Sequence, residues 1–479
     1  MNDIIIKNGI VLTMDKHRTI LSDGAVVIKA DRIVAVGPND EILARYRAAK
    51  VIDASGNLIM PGFVNSHTHV IQVLLRGGLS QDRELYDWLF NVLYPGLEQY
   101  RPEDAQLAAT LYVTEAVRSG ITTIVDNADQ GRSDDIAAAT IETYGKLGIR
   151  AIYARMFFDS SPQHLEKLVE TVMRKAPAVK HANSLYEPTD DALSHIESLI
   201  SRYHNAYEGR IHVWPAPGLP NTTTEDGLMR AAQMAEKYGT MVTLHLAEAP
   251  LDANMHGMTS TEYLNALGFL SPRLLAAHCV WMNERDLRLL KFHNVKVAHN
   301  AVSNLYLASG FAPVSKMVSQ GITVGVSTDD ANCNDTISMI LAMKIAALAQ
   351  RGSNLDSSAL TTEKVVEMAT IDAAKAIGLD HEIGSLEPGK KADVIVVGLQ
   401  KAQLYPNHHI PSVLVFQAYG SEVETVIADG KILMEERVLT FLDDADELLL
   451  YKDAQRASES IAKRGGLTGL EREWRSLGK

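Results

Sequence analysis

Between Met60 and Leu379 the chain alternates short apolar runs with amphipathic stretches, and it does so eight times. The apolar runs end at His69, Asn127, Phe158, Pro217, Glu248, Val280, Asn300 and Asp329. Stretches such as 104–119, 135–147, 224–238 and 284–292 carry apolar residues at helical spacing. Parallel strands need crossover connections, and eight strand–helix units in a row close most simply into a (β/α)8 TIM-type barrel, an α/β fold. The competing architecture is an open doubly wound sheet. It lacks its usual marker, since no Gly-x-Gly-x-x-Gly follows an early strand.

The two ends of the chain have another texture. Ile4 to Lys7 and Ile10 to Thr13 flank Asn8-Gly9, a pair that predicts a tight hairpin turn because it tolerates positive φ. Strand-like runs follow at 25–29 and 33–36, and again at 393–398, 425–428 and 431–434, with Asp429-Gly430 as a second turn. Strand-rich ends around one long middle predict a small β-sandwich domain formed from both termini. Two separate β units are the competing arrangement. The expected division is 1–58 and 381–441 for the β-sandwich domain, 59–380 for the barrel, and 442–479 for a C-terminal helix and polar tail.

Composition excludes several functions. Asp and Glu number 59 against 46 Lys and Arg, a net charge of −13. Phosphate backbones and anionic membranes repel such a chain, so no nucleic acid and no membrane is expected as a partner. Two cysteines, Cys279 and Cys333, rule out a disulfide framework and a cysteine-based zinc module. The start carries Asp3 within short apolar runs, unlike a secretory signal, and no run reaches the ~18–20 apolar residues of a membrane span. A reducing, cytoplasmic setting is the expectation. Sixteen histidines remain as potential metal ligands.

Some of those histidines stand where chemistry concentrates, at strand C-terminal ends. His67 and His69 close the first strand at i and i+2, so both imidazoles leave on one face and can reach one ion. His245 ends the fifth strand as a third nitrogen donor, and Glu248, three residues on, sits where a carboxylate can shuttle protons. His278 ends the sixth strand. Asp329 ends the eighth, where it can ligate the ion or take a proton from its water. Singly, each is as readily a satisfied core histidine or a capped turn. Together they place six chemical groups at the ends of four strands on one face.

These stretches resemble the amidohydrolase superfamily, in its branch of cytosine, guanine and s-triazine deaminases, and most nearly the melamine deaminases and atrazine chlorohydrolases. The resemblance spans nearly the whole chain. It rests on PGFVNSHTH at 61–69, LRGG at 75–78, YDWLFN at 86–91, AVRSGITT at 116–123, YARMFFD at 153–159 and EIGSLEPGKKAD at 382–393. It implies that His67, His69, His245 and Asp329 hold one divalent metal per subunit, Zn²⁺ or Fe²⁺. It also implies that Glu248 and His278 are the acid/base pair, with Asp329 assisting at the water. A metal-dependent aminohydrolase, releasing ammonia from an amino-substituted nitrogen heteroaromatic ring such as melamine, is the activity it implies. A homo-oligomer is implied as well.

The leaving group is approached through the loop after Asp329. Asp330 and Cys333 match the deaminase pattern, where the chlorohydrolases have Asn and Ser. Leu85 and Asp126 point the same way. A carboxylate at Asp330 accepts hydrogen bonds from exocyclic amino groups, which a chlorine substituent does not offer. The competing role of Asp330 is to cap the following helix. Trp88, Phe90 and Tyr94 are candidate walls of the ring cavity, and Ser303 and Asn304 are candidates to orient substrate or water. His299 lies near the same rim, and His408-His409 read as surface residues. Three alternatives stay open. One is a guanine, pterin or pyrimidine deaminase, which the loops at 218–221, 250 and 281–282 keep in view. Another is a chlorotriazine chlorohydrolase. The last is an inactive barrel acting as an assembly partner.

Overall fold

Strands of a parallel sheet are buried on both faces, so they read as continuous apolar runs. The computed structural model describes residues 2–79, 82–128, 133–161 and 186–467. In it, each of the eight runs is a strand. Five strands precede them: β1 (Asn2–Leu12), β2 (Ile20–Lys29), β3 (Arg32–Pro38), β4 (Ala48–Asp53) and β5 (Leu58–Pro61). The eight are β6 (Phe63–Thr68), β7 (Ile121–Ala128), β8 (Arg150–Phe157), β9 (Ile211–Pro217), β10 (Val242–Leu246) and, after the small ribbon β11 (Asn254–Met255) and β12 (Met258–Thr259), β13 (Leu274–His278), β14 (Lys296–His299) and β15 (Val324–Val326). Four more follow: β16 (Val394–Val397), β17 (Val423–Ala428), β18 (Lys431–Glu435) and β19 (Val438–Leu439).

The eight lie in two parallel arcs, β6-β7-β8-β9 and β10-β13-β14-β15. The arcs meet at both edges. His245 N donates to Gly218 O at 3.0 Å, and Asp329 N donates to His67 O at 3.1 Å. Val64, Val125, Ile152, Ala154, Leu275 and Ala298 share one buried cluster. Their neighbours in sequence, such as Ile124, Tyr153, Ala276 and Val297, pack into the larger cluster that holds the helices' apolar faces. This is the two-residue period of strands, with both faces buried. The fold is mixed α/β.

The helices begin and end where local chemistry dictates. The helix Asp134–Leu147 starts at Ser133, whose hydroxyl accepts from Ile136 N, and stops at Gly148 with φ 91°. The helix Glu284–Phe292 opens with a reciprocal cap between Asn283 and Asp286. Such caps satisfy amides that the first turn leaves unpaired.

The chain ends build one nine-stranded sheet in the order β19-β18-β17-β16-β5-β1-β2-β3, with β4 also on β1. Asp429 and Gly430, at φ 51° and 76°, turn β17 into β18 with Ala428 opposite Lys431, the predicted turn. Asn8-Gly9 is different. Asn8 has the expected positive φ (63°), yet β1 runs through it as a bulge and not a hairpin. The two halves of β1 take different parallel neighbours, Asn2–Lys7 along β4 and Ile10–Val11 along β5. A Cβ on Gly9 would lie 2.7 Å from Ile59 Cδ1, so that glycine serves the close approach of β5. Leu58–Pro61 pairs with β1 and β16, and the first arc begins at Phe63. The C-terminal helix is Asp444–Arg464; residues 468–479 of the expected tail lie outside the described residues.

Buried charges join this sheet to the first arc. Arg150, the first residue of β8, lies 3.1 Å from Asp393 and 3.4 Å from Asp429, and Arg210 and Lys391 reach Asp429 at 3.2 and 2.9 Å. Each carboxylate faces guanidinium or ammonium groups, the condition under which charge tolerates burial.

Candidate active site

Strand alternation brings His67 and His69 to one face at the end of β6, and the two arc junctions bring His245 and Asp329 against them. His67 Nε2 lies 3.3 Å from Asp329 Oδ1, His69 Nε2 lies 3.6 Å from the same oxygen, and His245 Nε2 lies 3.3 Å from His69 Nε2. All four residues are buried. Burial favours neutral imidazoles. It pushes His69 down to about 3 and His245 well below the usual range, with the neighbouring His67 adding to both shifts. Burial works to raise Asp329, but His278, His67 and His69 outweigh it and hold the carboxyl well below its ordinary value.

The donor set fits a divalent ion. Ligands about 2.0–2.2 Å from a tetrahedral ion stand about 3.4 Å from one another, the spacing found here. His67 Nε2 is buried without a hydrogen-bond partner. Its Nδ1 lies 2.8 Å from the Asn127 amide, whose Oδ1 has no other partner. With that oxygen turned to accept from Nδ1–H, both groups are satisfied and the Nε2 lone pair is left for an ion.

Beside the donors stands an acid/base geometry. His278 Nε2 lies 3.5 Å from Glu248 Oε2 and 3.8 Å from Asp329 Oδ2. Its Nδ1 donates to Asn304 Oδ1 at 2.9 Å, so Nε2 carries the lone pair. Burial, reinforced by the charges of Asp329, Asp252 and Asp330, raises the Glu248 carboxyl well above its usual range. A carboxyl shifted upward and an imidazole held down to about 4 therefore face one spot. If Asn304 sets that tautomer, Asn304→Ala is expected to cut turnover about 10- to 100-fold with metal content unchanged, measured by steady-state rate and elemental analysis.

These groups floor a small cavity of about 50 Å³. Leu85, Trp88, Leu89, Leu93, Tyr94, Met156, Leu219 and Leu307 wall it, with Tyr86 and Gln72 adding polar atoms. Of the sequence candidates, Leu85, Trp88, Asp330 and Cys333 line the cavity, and Ser303 and Asn304 do not. Asn304 instead holds His278, and Ser303 Oγ lies 3.1 Å from Cys333 Sγ. Phe90 is not among the lining residues and packs edge-on to Tyr94. Asp330 caps a turn and no helix, since the next helix begins at Met339 with Ser338 as its cap. Oδ1 accepts from Asn332 N and Cys333 N, capping the turn, and Oδ2 lies 2.8 Å from Cys333 Sγ at the cavity. Burial and the charge of Asp329 push its carboxyl up to about 7.

Other candidates fall elsewhere. Cys279, the neighbour of His278, turns into the apolar core where His278 and Cys279 both have positive φ (70° and 50°). His299 is buried outside the groups of potential ligands, and His408 and His409 are exposed. Asp126 lies beneath the site, accepting from Val70 N at 3.0 Å and Tyr144 OH at 2.7 Å. Sequence reasoning missed Tyr86, Gln72, Asn127 and Asp252. The last was within reach as the next acidic residue after Glu248.

Comparison with known proteins gives three findings. Residues 58–433 match the model of the amidohydrolase family. An S-triazine hydrolase from Gordonia rubripertincta is 47% identical over 333 residues, 69% of each chain, and a 5'-deoxyadenosine deaminase from Methanobrevibacter smithii is 33% identical over 96% of this chain and 98% of its own. The zinc-bound crystal structure of an adenosine deaminase from Xanthomonas campestris is 27% identical, with a TM-score of 0.86 over 96% of this chain and 99% of that one.

Proposed function

The chain belongs to the amidohydrolase family, as a metal-dependent hydrolase acting on C–N bonds, and on that footing we propose that it deaminates an amino-substituted nitrogen heteroaromatic ring, an s-triazine such as melamine. One observation carries the reading. Glu248 Oε2 stands 3.5 Å from His278 Nε2 at an apolar-walled cavity, its carboxyl shifted upward by burial, beside the converging His67, His69 and His245. His67, His69, His245 and Asp329 are the metal ligands in this reading, and Zn²⁺ is favoured over Fe²⁺ by the zinc-bound neighbour. When bound, the ion supplies a water acidified enough to attack at neutral pH.

The chain's own groups handle the protons and the ring. Glu248 donates its proton to the ring nitrogen next to the attacked carbon, so negative charge does not accumulate on the ring. His278 Nε2 takes a proton from the attacking water and hands it to the departing amine. A C–O bond forms, the C–N bond breaks, ammonia leaves, and the new hydroxyl returns a proton to Glu248 as the ring carbonyl forms. Asp330 Oδ2 accepts from an exocyclic amino group. Among the described residues Leu85, Leu89, Leu93, Met156, Leu219 and Leu307 give the walls apolar surface, which suits the faces of a planar ring. The two arcs are read as one closed (β/α)8 barrel over 59–380, with 1–58 and 381–441 forming the β-sandwich domain. Two free, buried cysteines suit the reducing cytoplasm. No described helix is long and apolar enough to cross a membrane.

The test is ammonia release from melamine, guanine, isocytosine, a pterin, 5'-deoxyadenosine and a chlorotriazine, with chloride measured in parallel. Release from melamine is expected. The full-length deoxyadenosine deaminase relatives favour a second reading, and release from the nucleoside with none from aminotriazines would establish it in place of the first. Asp330→Asn is expected to slow ammonia release about 10-fold and to raise the chloride-to-ammonia ratio. An unchanged ratio removes Asp330 from substrate contact.

A further inference from the structure

Glu248 sits on a turn and not in a strand, and something must hold that turn. One side is clear. Ala247, at φ 50°, gives its carbonyl to both Val280 N (3.0 Å) and Trp281 N (2.9 Å). The other side is Asp252, whose side chain is fully buried. Asp252 Oδ2 accepts from Glu248 N at 2.9 Å, and Oδ1 accepts from Ala249 N at 2.7 Å. Its partners are backbone amides alone, and among the described residues no cation pairs with it. The far end is anchored in turn, since Ser260 Oγ donates to Asp252 O and Ser260 N donates to Ala253 O.

A buried carboxylate without a cation is costly, and a neutral side chain caps an ordinary turn at less cost. Here the two amides go to two different oxygens, Glu248 N to Oδ2 and Ala249 N to Oδ1, a two-oxygen grip that a carboxylate supplies. From this geometry we infer that Asp252 is a positioning residue, which clamps the backbone of Glu248 and so sets the place of its carboxyl against His278. The inference rests on the proposed role of Glu248 as proton donor. Asp252 touches neither the cavity nor the ligand group, so its loss misplaces Glu248 without removing a ligand.

The experiment has two arms on the metal-loaded full chain. Amide hydrogen exchange reads the clamp itself. Asp252→Ala is expected to speed exchange at the Glu248 and Ala249 amides at least about 10-fold. Kinetics read its consequence. In Asp252→Ala, kcat for ammonia release is expected to fall about 10²-fold, with KM within about threefold and metal content unchanged. In the Glu248→Gln background the same substitution is expected to add no further loss, because its effect runs through Glu248. Asp252→Asn keeps one acceptor and is expected to fall between; should Asp252→Ala not fold, it carries both arms. Unchanged exchange overturns the inference, and so does a loss of kcat that simply multiplies with that of Glu248→Gln. If the wild type deaminates nothing yet exchange speeds up, the proposed reaction fails while the clamp on Glu248 stands.

Discussion

Glu248→Gln is expected to lower ammonia release about 10³-fold while leaving one metal ion per chain. The substitution keeps the shape of the side chain and removes the one thing the proposed mechanism asks of it, a proton that can leave. Glu248 lies beside the ligand group and is not in it. His67, His69 and His245 converge without it, as do His67, His278 and Asp329. Turnover and metal content should therefore separate. Steady-state ammonia release and elemental analysis of the same preparation check both. Loss of the metal in this variant would falsify the assignment and make Glu248 a ligand. Full activity would move the proton to another group, with Asp330 the nearest alternative at about 7.

His67→Ala is expected to do the opposite and strip the metal, with activity lost along with it. His67 is fully buried, with Nε2 facing Asp329 at 3.3 Å and Nδ1 held by Asn127. Removing one of four ligands is expected to weaken retention on the order of 10²- to 10³-fold, roughly a quarter of the free energy typical of a four-ligand zinc site. Chelation of the wild type should mimic the variant, with activity restored by Zn²⁺ or Fe²⁺. The ion binds only the folded chain's converged ligands, so metal at about a thousandfold over Kd should stabilise the fold by about 4 kcal/mol. Equal melting temperatures with and without metal would mean that these residues do not hold it.

Much of this architecture is legible from residue order. The eight apolar runs become the eight strands of the arcs, and their ends shift little. Two of the shifts have a common cause: β10 and β13 stop short where Ala247, and His278 with Cys279, take positive φ, at 50°, 70° and 50°. Such values are rare for residues other than glycine and persist only when surroundings enforce them. No local pattern announces them. The bulge at Asn8-Gly9 is the reverse case, where the local preference was right and its use was chosen by two neighbouring strands.

Within the site the same line divides the residues. That His67 and His69 share a face follows from the strand period, and that Glu248 follows His245 at a strand mouth follows from their spacing. Which chemical groups stand at strand ends was thus determined by sequence alone, because strand periodicity is local. That Ser303 and Asn304 serve Cys333 and His278, that Cys279 leaves the pocket its neighbour faces, and that Asp252 clamps Glu248 were decided only by tertiary structure. So was the 3.3 Å approach of His69 to His245, residues 176 positions apart. Contacts of that kind depend on where the two arcs meet, and the meeting is a property of the whole packed chain.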